Sequence, residues 1–354
     1  MRETARRSFV AAVVVVAVVV GALALWKVRI VIAVLFLALI IAAAMRPGVD
    51  SLRRRHVPRG IGILAHYALL VGLVTLLLYF VVPAAADQVS RAVPTSSVEL
   101  EAATQTSGGV KQQFLLAVQE RLEELPSREQ IAERAFDPAV EITMTAFEIM
   151  VGVFFTLASA AYWIFERDRA VTLVTSLVAR PRRKKVRDTW DLIDAKLGAY
   201  VRGQLLLIVL VATVLSVSFW AIGLPFWLLL GIFAGVVELI PVIGPLAAAT
   251  LAVGVGLTES FQLAVAAGLI VLVVRLIEDY LVIPRVLGDA VGLTPLTVLV
   301  AVAMVTFLFG GFAVLLAIPL AAVLATLIDV LVRDRDPAAE DVPAVLFPAK
   351  DAEG

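Results

Sequence analysis

An all-α protein that crosses a membrane many times is the fold class this sequence predicts. It has about eight membrane-embedded segments, two of them broken or re-entrant helical hairpins. Three observations carry this reading. Of the 354 residues 61% are hydrophobic and only 17% charged, well above the apolar share of a soluble domain. The charges are bunched between long apolar runs, several of them near the ~20 residues a helix needs to cross a bilayer. None of these runs alternates like a barrel strand, so helices must satisfy the backbone in lipid.

Taken in order, Phe9 to Trp26 is free of charge, Lys27 and Arg29 interrupt, and Ile30 to Met45 continues. These two runs are expected to form a tight helical hairpin. Gly60 to Ala86 is long enough to span, with His66 as its one titratable group. Residues 1–86 are therefore the N-terminal membrane helices. Residues 87–138 are acidic, with a Ser/Thr-rich loop from Pro94 to Gly109 and then Phe114, Val118, Leu122 and Leu125 at helical spacing. They are read as an extracytoplasmic helical segment. Residues 139–165 hold one further span, Ile149 to Phe165 extended back over Glu148.

Residues 166–202 hold Arg180, Arg182, Arg183, Lys184, Lys185 and Arg187, followed by Val186, Trp190, Ile193, Leu197 and Val201 on one helical face. This reads as a cytoplasmic basic amphipathic segment resting on anionic lipid. The N-terminal Arg2, Arg6 and Arg7, the loop from Arg46 to Arg59 and this segment are the three basic stretches used for orientation. The positive-inside rule places all three in the cytoplasm, and the C-terminus with them. Four spans between them alternate consistently.

Residues 203–328 are the transport core, and residues 329–354, with Pro337, Pro343 and Pro348 among mixed charges, are expected to be disordered. Gly203 to Ile222 is a clean span. Gly223 to Thr258 is too long for one ordinary helix and too short for two full spans. Pro241 and Pro245 break it near the middle, because proline removes a donor and clashes with the preceding turn. Ala290 to Ile328 is uncharged, with Gly310 and Gly311 at its middle. Each run reads as a hairpin of two half-helices, and a kinked helix without re-entry explains the same pattern equally well. Each follows one spanning helix, Gly203 to Ile222 and Leu263 to Ile283, so the two units are candidates for inverted repeats of the kind common in secondary transporters.

Charges at membrane depth cost about 3 kcal/mol even on insertion scales, so they face a cavity or a partner. Arg275, Glu278 and Asp279 share one helix, with the acids three and four residues from the arginine. An ordinary structural ion pair and a functional one both fit this spacing. Glu238 stands just before the Pro241 break with no partner in its own segment, which favours a role as ion or proton carrier.

Several function classes drop out. The formal net charge of zero argues against a nucleic-acid partner. The chain has no cysteine and two isolated histidines, His56 and His66, so no disulfide framework or metal-spaced cluster is expected, and no cofactor. No nucleophile–base set or phosphate loop appears, so an enzyme or an ATP-driven pump is not expected.

Four stretches carry a resemblance. Glu238-Leu-Ile-Pro-Val-Ile-Gly-Pro245, with Pro241 and Gly244, resembles the Glu-x-x-Pro-x-x-Gly-Pro signature of the autoinducer-2 exporter family of bacterial transporters. Glu278-Asp-Tyr-Leu-Val-Ile-Pro284-Arg285, with Gly288 after it, is similar to the family's second motif, and Gly310 to Pro319 to its third. Ala199-Tyr-Val-Arg-Gly-Gln204 resembles the stretch that opens the fifth span. The resemblance covers nearly the whole chain, in order. It implies a multi-pass inner-membrane permease that assembles as a homo-oligomer among membrane lipids. Export of a quorum-sensing furanone and sodium/proton antiport are both assigned within that family, so the substrate stays open. Three readings follow: a transporter of a small polar solute, ion-coupled to Na+ or H+; a sodium/proton antiporter; and a non-transporting membrane scaffold. The pathway residues would be Glu238, Pro241, Gly244, Pro245, Arg275, Glu278, Asp279, Gly310 and Gly311.

Overall fold

A computed structural model describes residues 2–92, 136–241, 243–286 and 293–340, together with 342 and 345. The extracytoplasmic amphipathic helix expected around Phe114 to Leu125 and the motif glycine Gly288 lie outside the described residues. The described chain is helical, with no strand. Its helices are α1 (Arg2–Lys27), α2 (Arg29–Arg54), α3 (Arg59–Ala92), α4 (Phe136–Ser176), α5 (Arg183–Ala221), α6 (Trp227–Val237), α7 (Ile243–Glu259), α8 (Phe261–Ile277), α9 (Ile283–Val286), α10 (Pro295–Phe309) and α11 (Ala317–Leu331). A π turn, Glu278–Val282, joins α8 to α9, and a 3₁₀ turn, Gly311–Leu316, joins α10 to α11. Among the described residues seven helical stretches are long and apolar enough to cross a membrane. Three shorter apolar helices, α6, α7 and α10, accompany them. The polytopic all-α fold is as the composition required.

Two expectations are corrected. The hairpin between Phe9–Trp26 and Ile30–Met45 does not form. Val28 donates to Ala24 and accepts from Ile32, each at 3.1 Å, so helical bonding runs through the join and the chain does not reverse there. The physical reason is local, since the sequence between Trp26 and Arg29 holds no glycine or proline to turn it. The basic amphipathic segment is likewise not a separate surface helix. It is the first half of α5, and its apolar face is covered by protein: Leu197 is buried, with Ile193 and Val201 packed in the same cluster as Ala33, Ile40 and Ala43 of α2 and Ala313, Leu316 and Ala317 of the second broken stretch.

Packing falls into three clusters, one of them Ala38, Ala42 and Val49 of α2 against Ile63 of α3 and Ala160 and Ile164 of α4. A second consists of α5 residues Val211, Leu215 and Phe219 against α6, α7 and α8. Gly231 and Gly235 of α6 are pressed so closely on α5 that a Cβ at Gly235 would lie 2.6 Å from the Ile208 carbonyl oxygen, the small-x-x-x-small spacing of tight membrane helix pairs. α5 ends in a Schellman turn: Gly223, at φ +72°, donates to Trp220, Leu224 donates to Phe219, and the buried side chains of Leu224 and Phe219 join the same cluster. The third is the cluster around Leu197 already described. Ser260 caps α8 by accepting from the Leu263 amide at 3.2 Å, and Thr294 caps α10 ahead of Pro295 at the first helical position.

At one end of the molecule the ends of α2, α3, α4 and α5 are tied by charge. Arg167 of α4 donates to Asp194 of α5 at 2.8 Å and also pairs with Asp191, while Arg46 of α2 reaches Asp194 at 3.4 Å and Arg59 of α3 reaches Asp168 at 3.5 Å. The basic loop Arg46 to Arg59 and the basic link before α5 are therefore on the same end, as the charge pattern required of two loops sharing one side. Part of the tail expected to lack order also lies here, along α5.

Candidate functional site

The first broken run parts where its sequence demands. α6 ends at Val237, Glu238 is its C-cap, and the next helix begins at Ile243. Between them Leu239 and Ile240 donate to Val236 and Val237, and Ile243 donates to Pro241 at 2.7 Å, a tight turn in place of a helical ladder. Pro241 has no N–H with which to continue the ladder. Gly244 is buried where a Cβ would overlap the Val237 carbonyl, so the motif's glycine is a matter of space. Pro245 falls in the first turn of α7, where a missing donor costs little. The Glu238 carbonyl accepts from the buried Gln204 side-chain amide at 3.3 Å.

α8 brings the counter-charge. Arg275, in its last turn, donates from Nη1 to Glu238 Oε1 at 2.7 Å and to Glu278 Oε2 at 3.2 Å. Its Nε and Nη2 reach the two oxygens of Asp279 at 3.0 and 2.8 Å, a bidentate fork. The π turn makes this convergence work. Ile283 donates back five residues to Glu278, and the proline that follows, Pro284, cannot donate at all, so the ladder slips by one residue at the acids. Such π turns often occur at functional sites.

One guanidinium thus serves three carboxylates, leaving a net charge of −2 when all are ionised. The cluster is graded in exposure. The Glu278 side chain is 4% exposed and that of Glu238 9%, while Arg275 is 29% and Asp279 40% exposed. Glu278 Oε1 is buried with no hydrogen-bond partner. Glu238, with no partner in its own segment, has one from another helix. The structural pair considered for Arg275 is in fact a four-residue cluster that includes Glu238.

Other predicted residues lie elsewhere. Gly310 caps α10 at φ +93°, and Gly311 opens the 3₁₀ turn. That turn packs through Ala313 and Leu316 on α2 and α5, away from the carboxylates. Pro319 is fully buried in the first turn of α11, and Pro284 and Arg285 lie exposed in α9. Gln204 was legible only as part of a motif. The Arg167–Asp191–Asp194–Arg46 network left no local signal, because its members come from three helices. Among the described residues no group of three or more metal-ligating side chains occurs.

Comparison with known proteins is decided by extent. The family model described as AI-2E family transporter matches residues 13–333. The chain belongs to the AI-2E transporter family. Relatives span most of its length. It is 25% identical over 313 residues to the "Putative transport protein YrrI" of Bacillus subtilis (strain 168), covering 85% of this chain and 86% of that one. It is 26% identical over 341 residues to the "Putative transport protein MT0215" of Mycobacterium tuberculosis (strain CDC 1551 / Oshkosh), covering 94% and 91%. A second B. subtilis protein, "Putative transport protein YueF", is 35% identical over 133 residues, 38% of this chain and 36% of its own. This AI-2E family member is a multi-pass membrane protein of a transporter family, and the charged break lies inside the matched region.

Proposed function

We propose that the protein moves a small polar solute across the inner membrane, coupled to a cation, Na+ or H+, at Glu238, Glu278 and Asp279. One observation carries the reading: three carboxylates share one guanidinium, and Glu278 keeps a buried oxygen with no partner. A site so charged, among apolar helices, gains most from binding a positive ion. The exposed Asp279 and the half-buried Arg275 supply polar contacts for a solute beside it. Autoinducer-2 as that solute, and export as the direction, rest on the family resemblance. A homo-oligomer surrounded by membrane lipid fits the long, exposed apolar faces of α1 and α3.

The basic loop 46–59 and the link 177–187 belong in the cytoplasm by their charge, and the C-terminal tail, at the same end, with them. Arg2, Arg6 and Arg7 favour the same side for the N-terminus by charge, but the chain does not reverse at Val28, so the charge rule alone carries a cytoplasmic N-terminus. Cysteines placed at Ser107 and Ser176 of this cysteine-free chain should label from opposite sides of intact cells. Labelling from one side overturns the arrangement.

The transport test uses proteoliposomes under an imposed sodium or pH gradient. Glu278→Gln and Glu238→Gln keep the shape and remove the charge. Each should insert normally and lower cation-dependent flux at least tenfold. Unchanged flux and cation dependence in both would sink the reading. A second reading, sodium/proton antiport without an organic solute, is favoured by the excess of carboxylates, which need no further ligand to exchange cations. Sodium-driven collapse of a pH gradient, with no solute added, selects it.

A further inference from the structure

The three acids at the first break are not equivalent. Glu238 and Glu278 meet a single nitrogen of Arg275, Nη1, at 2.7 and 3.2 Å, while Asp279 takes Nε and Nη2. Glu238 stands at the end of α6 and Glu278 in the π turn after α8, so the pair joins two elements. Their carboxyl groups are also within hydrogen-bonding reach of each other. Both are nearly buried, Asp279 is exposed, and Glu278 Oε1 is left without a donor.

The charges that act on both members of this pair are those of Arg275 and Asp279. The neighbouring elements bring others that are engaged or placed elsewhere. α5 faces the break with the neutral amide of Gln204. α7 carries its one charge, Glu259, beside the start of α8, with Arg275 in the last turn of that helix. Arg285 of α9 and Asp87 of α3 are exposed. Also in α3, Arg59 pairs with Asp168, and His66 bonds the Gly62 carbonyl of its own helix.

Two carboxylates facing each other across one nitrogen, away from water, resist ionising together. One proton removes the conflict. The O–H it forms on one acid donates to the other, Glu278 Oε1 gains a partner, and the net charge of the cluster falls from −2 to −1. A sodium ion fits worse. It needs several oxygen ligands, and unwound backbone carbonyls supply them in many transporters. Here the carbonyls of Val236, Val237, Ile240 and Pro241 already accept from amides of the turn, and that of Glu238 from Gln204. A metal ion is left with carboxylates held by a guanidinium, and among the described residues no three acids are arranged to hold one.

Given the cation-coupled reading above, we propose that the coupling ion is a proton, shared by Glu238 and Glu278 as one unit, with Asp279 holding Arg275 in place. Taking up the proton fastens the broken end of α6 to the π turn after α8. Releasing it leaves two like charges on one nitrogen and loosens that joint. The protonated and ionised states therefore differ in how two helices are held, which is the difference that coupling requires.

The test is infrared difference spectroscopy of the full-length protein in detergent. It follows the C=O stretch of protonated carboxyl groups as the pH falls, in KCl and in NaCl at equal ionic strength. The wild type should show such a band, shifted in D2O, at the same pH in both salts. Over that pH range Glu238→Gln and Glu278→Gln should each lose the band, because the proton belongs to the pair, and Asp279→Asn should keep it. A band that survives in either glutamine variant, or vanishes in Asp279→Asn, overturns the shared site. A band that NaCl displaces to lower pH shows sodium at the same acids and overturns the proton. If a glutamine variant does not fold, the wild-type salt comparison and Asp279→Asn decide. A band that behaves as expected supports the shared proton even where no cation-dependent flux is found, an outcome that fails the transport reading alone. Sodium-driven flux without the band overturns the proton and leaves that reading standing.

Discussion

The two broken runs of the core solve the same problem in opposite ways. Each interrupts a helix among apolar residues and so frees backbone groups that lipid cannot satisfy. The break at 238–242 is closed with polar chemistry: the Gln204 amide on the Glu238 carbonyl, and an arginine shared by three acids, two of them nearly buried and one open. The break at Gly310 is closed with geometry. A left-handed glycine donates to Thr306 at 2.9 Å, Ala313 donates to Gly310 at 3.0 Å, and the turn packs through small residues, with Ala313 and Ala317 fully buried. A helix break therefore does not by itself mark a binding site; the charge imported to one of these two separates a site from a joint.

The comparison can be broken most severely at Arg275. Arg275→Met leaves three carboxylates with no cation, and loss of one partner of a buried pair costs about 3–5 kcal/mol. The expected outcome is loss of monodisperse protein in detergent, with partial recovery when Glu278→Gln is added. Recovery no better in the double variant would show that Arg275 acts by packing alone.

Next comes Gly244→Ala. Its Cβ would meet backbone at Val237, which cannot move aside like a side-chain tip. About 1–3 kcal/mol of destabilisation follows from such overpacking, together with lost flux, because the turn that holds Glu238 must shift. An unchanged unfolding midpoint would mean that the turn is looser than described.

Gly310→Ala sharpens the contrast. No atom lies within 4 Å of a Cβ there, so the cost is purely that of the positive φ, about 1–2 kcal/mol. The unfolding midpoint should fall while the cation dependence of transport stays as in wild type. A changed cation dependence would tie the second break to the site and erase the distinction. Smallest of all is Gly311→Ala, which has open space and an ordinary φ, and should move stability by no more than about 0.5 kcal/mol in the same assay.

Much of this was legible in the chain alone. Long apolar runs, prolines, a glycine pair and charges at membrane depth are local facts, and each acts locally. Proline at 241 must end a ladder wherever it sits, and an apolar run must be helical if it is to cross lipid. The spans, both breaks, and Glu238, Arg275, Glu278 and Asp279 as candidates follow from that. Where local signals were thin the reading failed: nothing between Trp26 and Arg29 turns the chain, and an amphipathic face at 186–201 does not say whether lipid or protein will cover it. Only the tertiary structure decided that Arg275 answers Glu238 as well as its own neighbours, that the glycine break packs apart from the acids, and that Glu340 folds back onto Lys196. Each of these joins residues far apart in the chain, 37 positions for Glu238 and Arg275 and 144 for Lys196 and Glu340. Periodicity reports which face of a helix is apolar, but the partner of a charge depends on how helices pack, and that is set by contacts distant in the sequence.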